Sequence, residues 1–212
     1  KIKWQAQEWI FLLLTHSEQK IRKQINKMQI GFKNFSTDSA DNFRQLMNAV
    51  AYPGGTFELT RCDVPNGISP AAGSIILTLC DYTNSIYLAK SHHREEIIRW
   101  ITFHTGAKIT ASDMCDFAIG EWSELKKVDN FKLGTAEYPD RSSTLIVDQS
   151  DVNFRPVYIQ GPGIKLKKKC KLPEVDLFNE NNNKFPIGLD FYFTNDQKIM
   201  VINRTTKVIG IK

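Results

Sequence analysis

The sequence has no long apolar run. Its longest uninterrupted one, residues 9–14, is six residues, where a membrane-crossing helix needs roughly 20. Lys1 and Lys3 before that run give it a faint likeness to a signal peptide, but the charged "THSEQKIRKQ" that follows offers no small-residue cleavage site, which argues against secretion. Only four cysteines occur, Cys62, Cys80, Cys115 and Cys170, and no two form a CxxC pair. That spacing argues against disulfides and zinc and for free thiols in a reducing cytoplasm. Phosphate-loop, GxSxG and HExxH signatures are absent. "GPGIKL" holds a lone GxG without the third glycine of a dinucleotide site. No cofactor or metal is expected.

Charge of one sign is also scarce over most of the chain. The formal net charge is +5. Residues 1–27 hold six basic and two acidic side chains, a balance of +4, so the remainder stands at +1. A nucleic-acid-binding domain would present a basic face of its own. Two local features still fit an anionic surface, the 1–27 segment and "IKLKKKCKL" (residues 164–172). The second reads more simply as a strand with alternate lysines guarding an exposed edge. Neither nucleic acid nor membrane is therefore expected as a partner.

What is present is enough apolar material, 42% of 212 residues, for a sizeable core. Residues 1–30 read as an amphipathic helical extension, different in texture from the domain at 31–212. Met28 opens "MQIGF" and reads as a natural start, with the preceding residues as upstream sequence. "STDSADNFRQLMNAVAYPGG" predicts a helix capped by Ser36 or Asp38, with Phe43, Leu46, Met47 and Val50 as its inner stripe. Ser69 and Pro70 open a second helix. "SHHREEIIRWITFHTGA" predicts a third, capped by Ser91 and ended by Gly106. "TFELT", "NSIYLAK", "DFAIG", "STLIVD", "PVYIQG", "GLDFYFT" and "KIMVIN" read as strands, "TNDQK" as a hairpin loop and "NENNN" as a polar loop. Helices alternating with strands, then a strand-rich end, predict an α/β fold with a mixed sheet.

Several residues are candidates for chemistry. His92 and His93 are adjacent, and neighbouring helical positions diverge by about 100°, so they read as solvent-facing. His104 lies on the apolar stripe near its helix end. There it is either a half-buried imidazole bonded to carbonyls or a general acid–base. Lys90 ends a strand without the context of a Schiff-base lysine. Gly161 and Gly163 flank Pro162 as a tight turn or as open backbone for a ligand. In "GTAEYPDRSST", Glu137, Asp140 and Arg141 form either a surface ion cluster or an anion site in which the acids orient the arginine or act as acid–base groups.

The ordered pieces "GF", "FRQLMNAVAYPG", "LTLCD", "FHTGA", "GTAEYPDRSST", "GPGI", "FPIGLD" and "RTTKV" resemble the PhnH family, a subunit of the bacterial carbon–phosphorus lyase machinery. The likeness covers the chain after Met28. Tyr52, Ile187 and Asn203 depart from the family's usual Arg, Arg and Pro. The resemblance implies a three-layer α/β/α sandwich similar to pyridoxal-phosphate-dependent transferases but without their cofactor site. It implies a homodimer when isolated. It also implies assembly with the other subunits of a core complex that supports formation of α-D-ribose 1-methylphosphonate 5-triphosphate from ATP and methylphosphonate. It brings no established catalytic residue. The functional expectation is thus a docking subunit in phosphonate catabolism. The competing expectation is a subunit that itself binds a phosphorylated metabolite through Arg141, Ser142, Arg204, Gly161 and Gly163.

Overall fold

The computed structural model describes residues 31–148 and 154–210; the extension read over residues 1–30, with Met28, lies outside them. Helices and strands alternate through the first half. They are α1 (Phe35–Ala51), β1 (Thr56–Glu58), α2 (Pro70–Leu79), β2 (Ser85–Leu88), α3 (Glu95–Thr105), β3 (Lys108–Ile109), β4 (Phe117–Gly120), α4 (Trp122–Leu125) and β5 (Thr144–Asp148). The second half adds β6 (Arg155–Gln160), β7 (Lys168–Leu172), α5 (Asp176–Asn183), β8 (Asp190–Asn195), β9 (Lys198–Ile202) and β10 (Lys207–Gly210).

Seven strands form one sheet in the order β1-β9-β8-β5-β4-β2-β3, and β10-β6-β7 form a second, antiparallel sheet. Strands β8, β5, β4, β2 and β3 run parallel, while β9 and β1 are antiparallel additions. The sheet is mixed, as the element pattern predicts. Parallel strands are covered on both sides and so carry few polar positions; in β5 every residue from Leu145 to Asp148 is buried.

One face packs Ile86, Ile119, Ile146, Ile199 and Val201 against α1, α2 and α3. The other packs Leu145, Val147, Phe191 and Phe193 against α4, α5 and the small sheet. Trp122 of α4 stacks on Phe178 of α5 at 5.6 Å. Truncating a buried aromatic of this kind costs about 3–5 kcal/mol.

Local signals explain most element ends. Ser69 accepts the Ala72 N–H and Pro70 occupies the first turn of α2. Gly106 closes α3 with a left-handed φ of 70°. The two-residue β8–β9 loop uses Asp196 at φ 51°.

Four expectations need correction. α1 begins at Phe35 with Asn34 at the cap position, so Ser36 and Asp38 lie inside its first turn, where Asp38 accepts the Asn34 N–H at 2.9 Å. "NENNN" is not a loop but most of α5. Phe178 anchors that helix, and its asparagines bond distant backbone: Asn179 to Val208, Asn181 to Leu189, Asn182 to the Arg204 carbonyl. α3 starts at Glu95 with Arg94 as cap, leaving Ser91 free for other contacts. In α1 the inward residues are Asn42, Leu46 and Ala49, while Phe43 and Met47 are about half exposed. The Asn42 side chain, accepting the Thr60 N–H at 2.6 Å, holds the helix turned by about one residue from the predicted stripe.

Candidate functional site

Two polar clusters lie at opposite edges of the seven-stranded sheet. At the amino-terminal edge of β5 and β8 the residues of "GTAEYPDRSST" meet Arg204. The Arg204 guanidinium donates to Asp190 from Nε (3.3 Å) and Nη2 (2.7 Å), to the Pro139 carbonyl from Nη1 (2.7 Å), and to Ser142 Oγ. Its backbone N–H donates to Asp190 Oδ1 as well. The side chain is only 13% exposed. Arg204 thus ties the loop after Gly134, the start of β8 and the β9–β10 connection into one unit.

The neighbouring glycines serve the same packing. A Cβ on Gly163 would lie 1.9 Å from the Ala51 carbonyl oxygen at the end of α1. One on Gly161 would lie 2.8 Å from that of Thr205. Both have positive φ, so the turn demands glycine for its conformation and for this approach. Asn203, one of the departures from the family pattern, bonds the Val50 carbonyl at 2.8 Å and joins α1 to the same knot.

The rest of the loop faces outward. Glu137, Asp140 and Arg141 are exposed. Arg141 lies over the Tyr138 ring at 4.1 Å. Among the described residues it forms no ion pair with either acid. Ser142, by contrast, is buried against Arg204. His104 is half-buried and shares ring contacts with Trp100 and Phe103 at 5.0 and 5.1 Å. Its Nε2 is buried without a hydrogen-bond partner.

The second cluster occupies the carboxyl edge, and sequence reasoning missed it. His92 is 4% exposed and not solvent-facing, because the chain after β2 turns inward before α3 begins. Its Nε2 lies 3.1 Å from Asp148 Oδ2 and its Nδ1 2.8 Å from Ser91 Oγ. Ser91 Oγ in turn donates to Glu124 Oε2. Asp148, fully buried at the last position of β5, also accepts the Ser69 N–H at 2.9 Å and the Thr194 hydroxyl at 2.7 Å. A buried carboxylate is tolerable only with such partners.

Burial works against the charge of Glu124. The hydrogen bonds from the Ser91 hydroxyl, the Ser91 N–H and the Glu121 N–H outweigh it and hold its carboxyl below the usual range. A continuous hydrogen-bonded path therefore runs Glu124–Ser91–His92–Asp148. Serine and histidine each both donate and accept, so the path can pass a proton between a half-buried carboxylate and a buried one.

The topology gives this cluster added weight. From β2 the chain moves outward through α3 to β3, on the face where α3 packs; from β4 it moves the other way through α4 to β5, on the opposite face. In open α/β sheets, ligands bind outside the carboxyl ends of strands where the chain direction reverses in this way. Gly120 permits the close approach of the two strands there: a Cβ on it would lie 2.4 Å from the Ala89 Cβ. The available sequence signal was a lone acid, Asp148, closing the apolar strand "TLIV", with Ser91 and His92 just past the end of another.

Among the described residues no three His, Cys, Asp or Glu side chains gather as a metal site, and no helix is long and apolar enough to cross a membrane. All four cysteines are buried and free.

A mixed-sheet α/β domain emerges, with its most distinctive loop knotted around one arginine at one edge and a Glu–Ser–His–Asp hydrogen-bond network at the other. The chain belongs to the PhnH family: the family profile, described as bacterial phosphonate metabolism protein (PhnH), matches residues 30–209. It is 37% identical over 175 residues to the alpha-D-ribose 1-methylphosphonate 5-triphosphate synthase subunit PhnH of Rhizobium meliloti (strain 1021), covering 78% of this chain and 88% of that one. It is 25% identical over 174 residues to HtxG of Stutzerimonas stutzeri, whose name places it provisionally among the C-P lyase subunits, covering 78% of this chain and 83% of that relative.

Proposed function

We propose that this protein is a subunit of the assembly that forms α-D-ribose 1-methylphosphonate 5-triphosphate during organic phosphonate catabolism, and that its principal work is to dock on partner subunits. The observation that carries this reading is its similarity, across nearly the whole relative, to a protein named as a subunit of that synthase. The use of Arg204 and Ser142 as internal ties supports docking over catalysis at the signature loop. Arg141, held over Tyr138 and exposed beside Glu137 and Asp140, is the outward contact of that loop. The exposed row Phe35, Phe43 and Met47 on α1 is the apolar part of the docking surface.

The partners are the other subunits of the carbon–phosphorus lyase core complex, with a homodimer when isolated and a cytoplasmic location. The sheet flanked by α1–α3 on one side and α4 and α5 on the other is the three-layer sandwich of the pyridoxal-phosphate-transferase type, extended by the small sheet. Co-expression with the other subunits and affinity purification tests the reading: the expected result is a stoichiometric complex that forms the triphosphate product. A complex of equal activity assembled without this chain overturns it.

A further inference from the structure

A cleft of about 370 Å³ opens where β7, the edge strand of the small sheet, faces the β8–β9 hairpin of the main sheet. Lys169 and Lys171 reach it from β7 and Lys198 from β9. The ammonium groups of all three lack hydrogen-bond or ion-pair partners among the described residues. Even Glu58, cross-strand from Lys198, forms no ion pair with it. Edge protection accounts for alternate lysines on β7, but not for Lys198, which belongs to the other sheet and opens onto the same space.

The floor is apolar: Phe154 meets Phe193 edge-to-face at 5.6 Å, with Met200 beside them. Thr56 and Asn195 add a hydroxyl and an amide to the wall. Thr194, between Phe193 and Asn195, also lines the cleft and bonds Asp148, so the cleft adjoins the carboxyl-edge network.

We propose that this cleft binds a phosphorylated small molecule carrying a flat ring, the lysines taking the phosphate and the phenylalanine floor taking the ring. Three lysines without hydrogen-bond or ion-pair partners among the described residues line one concavity and supply the anion preference. An aromatic and thioether floor supplies surface for a planar group. The cleft is open to solvent, and its volume of about 370 Å³ suits a small molecule over a polymer. The site is separate from the Arg141 loop and does not depend on the docking reading above.

Calorimetric titration of the full chain with adenosine monophosphate, ribose 5-phosphate and adenosine tests it. The expected order places adenosine monophosphate at least tenfold tighter than either fragment. Each single Lys→Gln change at 169, 171 or 198 weakens it by about tenfold or more, as loss of a charge-assisted contact predicts. Thr56→Tyr, which fills the cleft and leaves the charges, abolishes binding with the thermal transition unchanged. Equal affinity of the triple Lys→Gln variant and the wild type overturns the site. Ribose 5-phosphate binding as tightly as adenosine monophosphate overturns the role of the floor, and no binding of any probe overturns the proposal altogether.

Discussion

Replacing Arg204 by alanine separates its role as an internal tie from the anion-ligand role its place in "RTTKV" suggested. The change removes both side-chain bonds to Asp190 and leaves the Pro139 carbonyl and Ser142 Oγ without their donor. Breaking a buried ion pair from one side costs about 3–5 kcal/mol. Asp190 is 24% exposed and keeps the backbone N–H of residue 204, so water and one amide soften the loss to about 3 kcal/mol. For a chain of this size that is a fall in melting temperature of about 6–12 °C. Urea unfolding followed by far-ultraviolet circular dichroism reads the same quantity as a lower midpoint at unchanged slope. Arg204→Lys restores the charge but not the planar fork and recovers less than half. The Arg204→Ala/Asp190→Asn double mutant gives a coupling energy of about 2 kcal/mol, within the range for side chains in contact. A loss below about 1 kcal/mol, within reach of ordinary surface substitutions, together with lost stabilisation by added phosphate, refutes the internal-tie reading and reinstates a ligand role.

Asp148→Ala orphans the Ser69 N–H, the Thr194 hydroxyl and His92 Nε2 at once, so it destabilises by at least about 3 kcal/mol, measurable by the same urea titration. Glu124 and Asp116 are both held below the ordinary carboxylate range. In each, burial opposes the charge but hydrogen bonds prevail, those to Asp116 coming from Lys132 and Ser85. Their stabilisation is therefore complete above the unfolded carboxylate pKa, about 4–4.5, and is lost as pH falls through their lower folded values. Glu124→Gln and Asp116→Asn flatten the fall of the urea midpoint between pH 5 and 3. Burial raises the Cys62 thiol, with Asp63 and Asp38 adding to it, to about 12; burial against a small opposing effect of Lys168 raises Cys170 to about 11. Iodoacetamide at pH 8 thus labels neither in the native protein within an hour, while unfolding in urea exposes all four thiols to mass-spectrometric detection. Phe43→Ser changes stability by less than about 0.5 kcal/mol, as expected for an exposed position, yet lowers recovery of partner subunits in affinity purification.

Local rules carried the secondary structure where a residue's own backbone settles the matter. Ser69-Pro70, Gly106 and the two-residue hairpin around Asp196 all have short-range causes. Where the outcome hangs on contacts distant in sequence, the sequence was opaque. Nothing local says that Asn179, Asn181 and Asn182 find carbonyls on other elements and so sustain a helix. Nothing local says that Asn42, and not Phe43, turns inward. The misplacement of His92 has the same origin. The argument that adjacent histidines diverge by 100° presumes a helix, but the helix begins three residues later, and the intervening turn aims one imidazole at a carboxylate 56 positions away.

The density of recognisable motif and the placement of reactive groups separate in this fold, and the sheet explains why. "GTAEYPDRSST" enters β5 at its amino-terminal edge, where the knot of Arg204, Asp190 and the glycine turns depends on close backbone contacts that admit few substitutions. Such contacts leave a strong sequence signature with no reaction at all. The carboxyl edge lies about 13 Å away along β5, at about 3.3 Å per residue. There the network needs only single residues, Ser91, His92, Glu124, Asp148 and Thr194, contributed by separate loops and strand ends. Scattered single residues make no motif, yet they gather at the crevice where an open α/β sheet places ligands. The lysine-lined cleft adjoins that edge through Thr194. A ligand seated there would lie one hydrogen bond from Asp148 by way of the β8 strand, whereas a partner docked on Arg141 would sit at the opposite edge. The two roles are thus separable by mutation: Lys198→Gln tests ligand binding without touching the signature loop, and Arg141→Ala tests docking without touching the cleft.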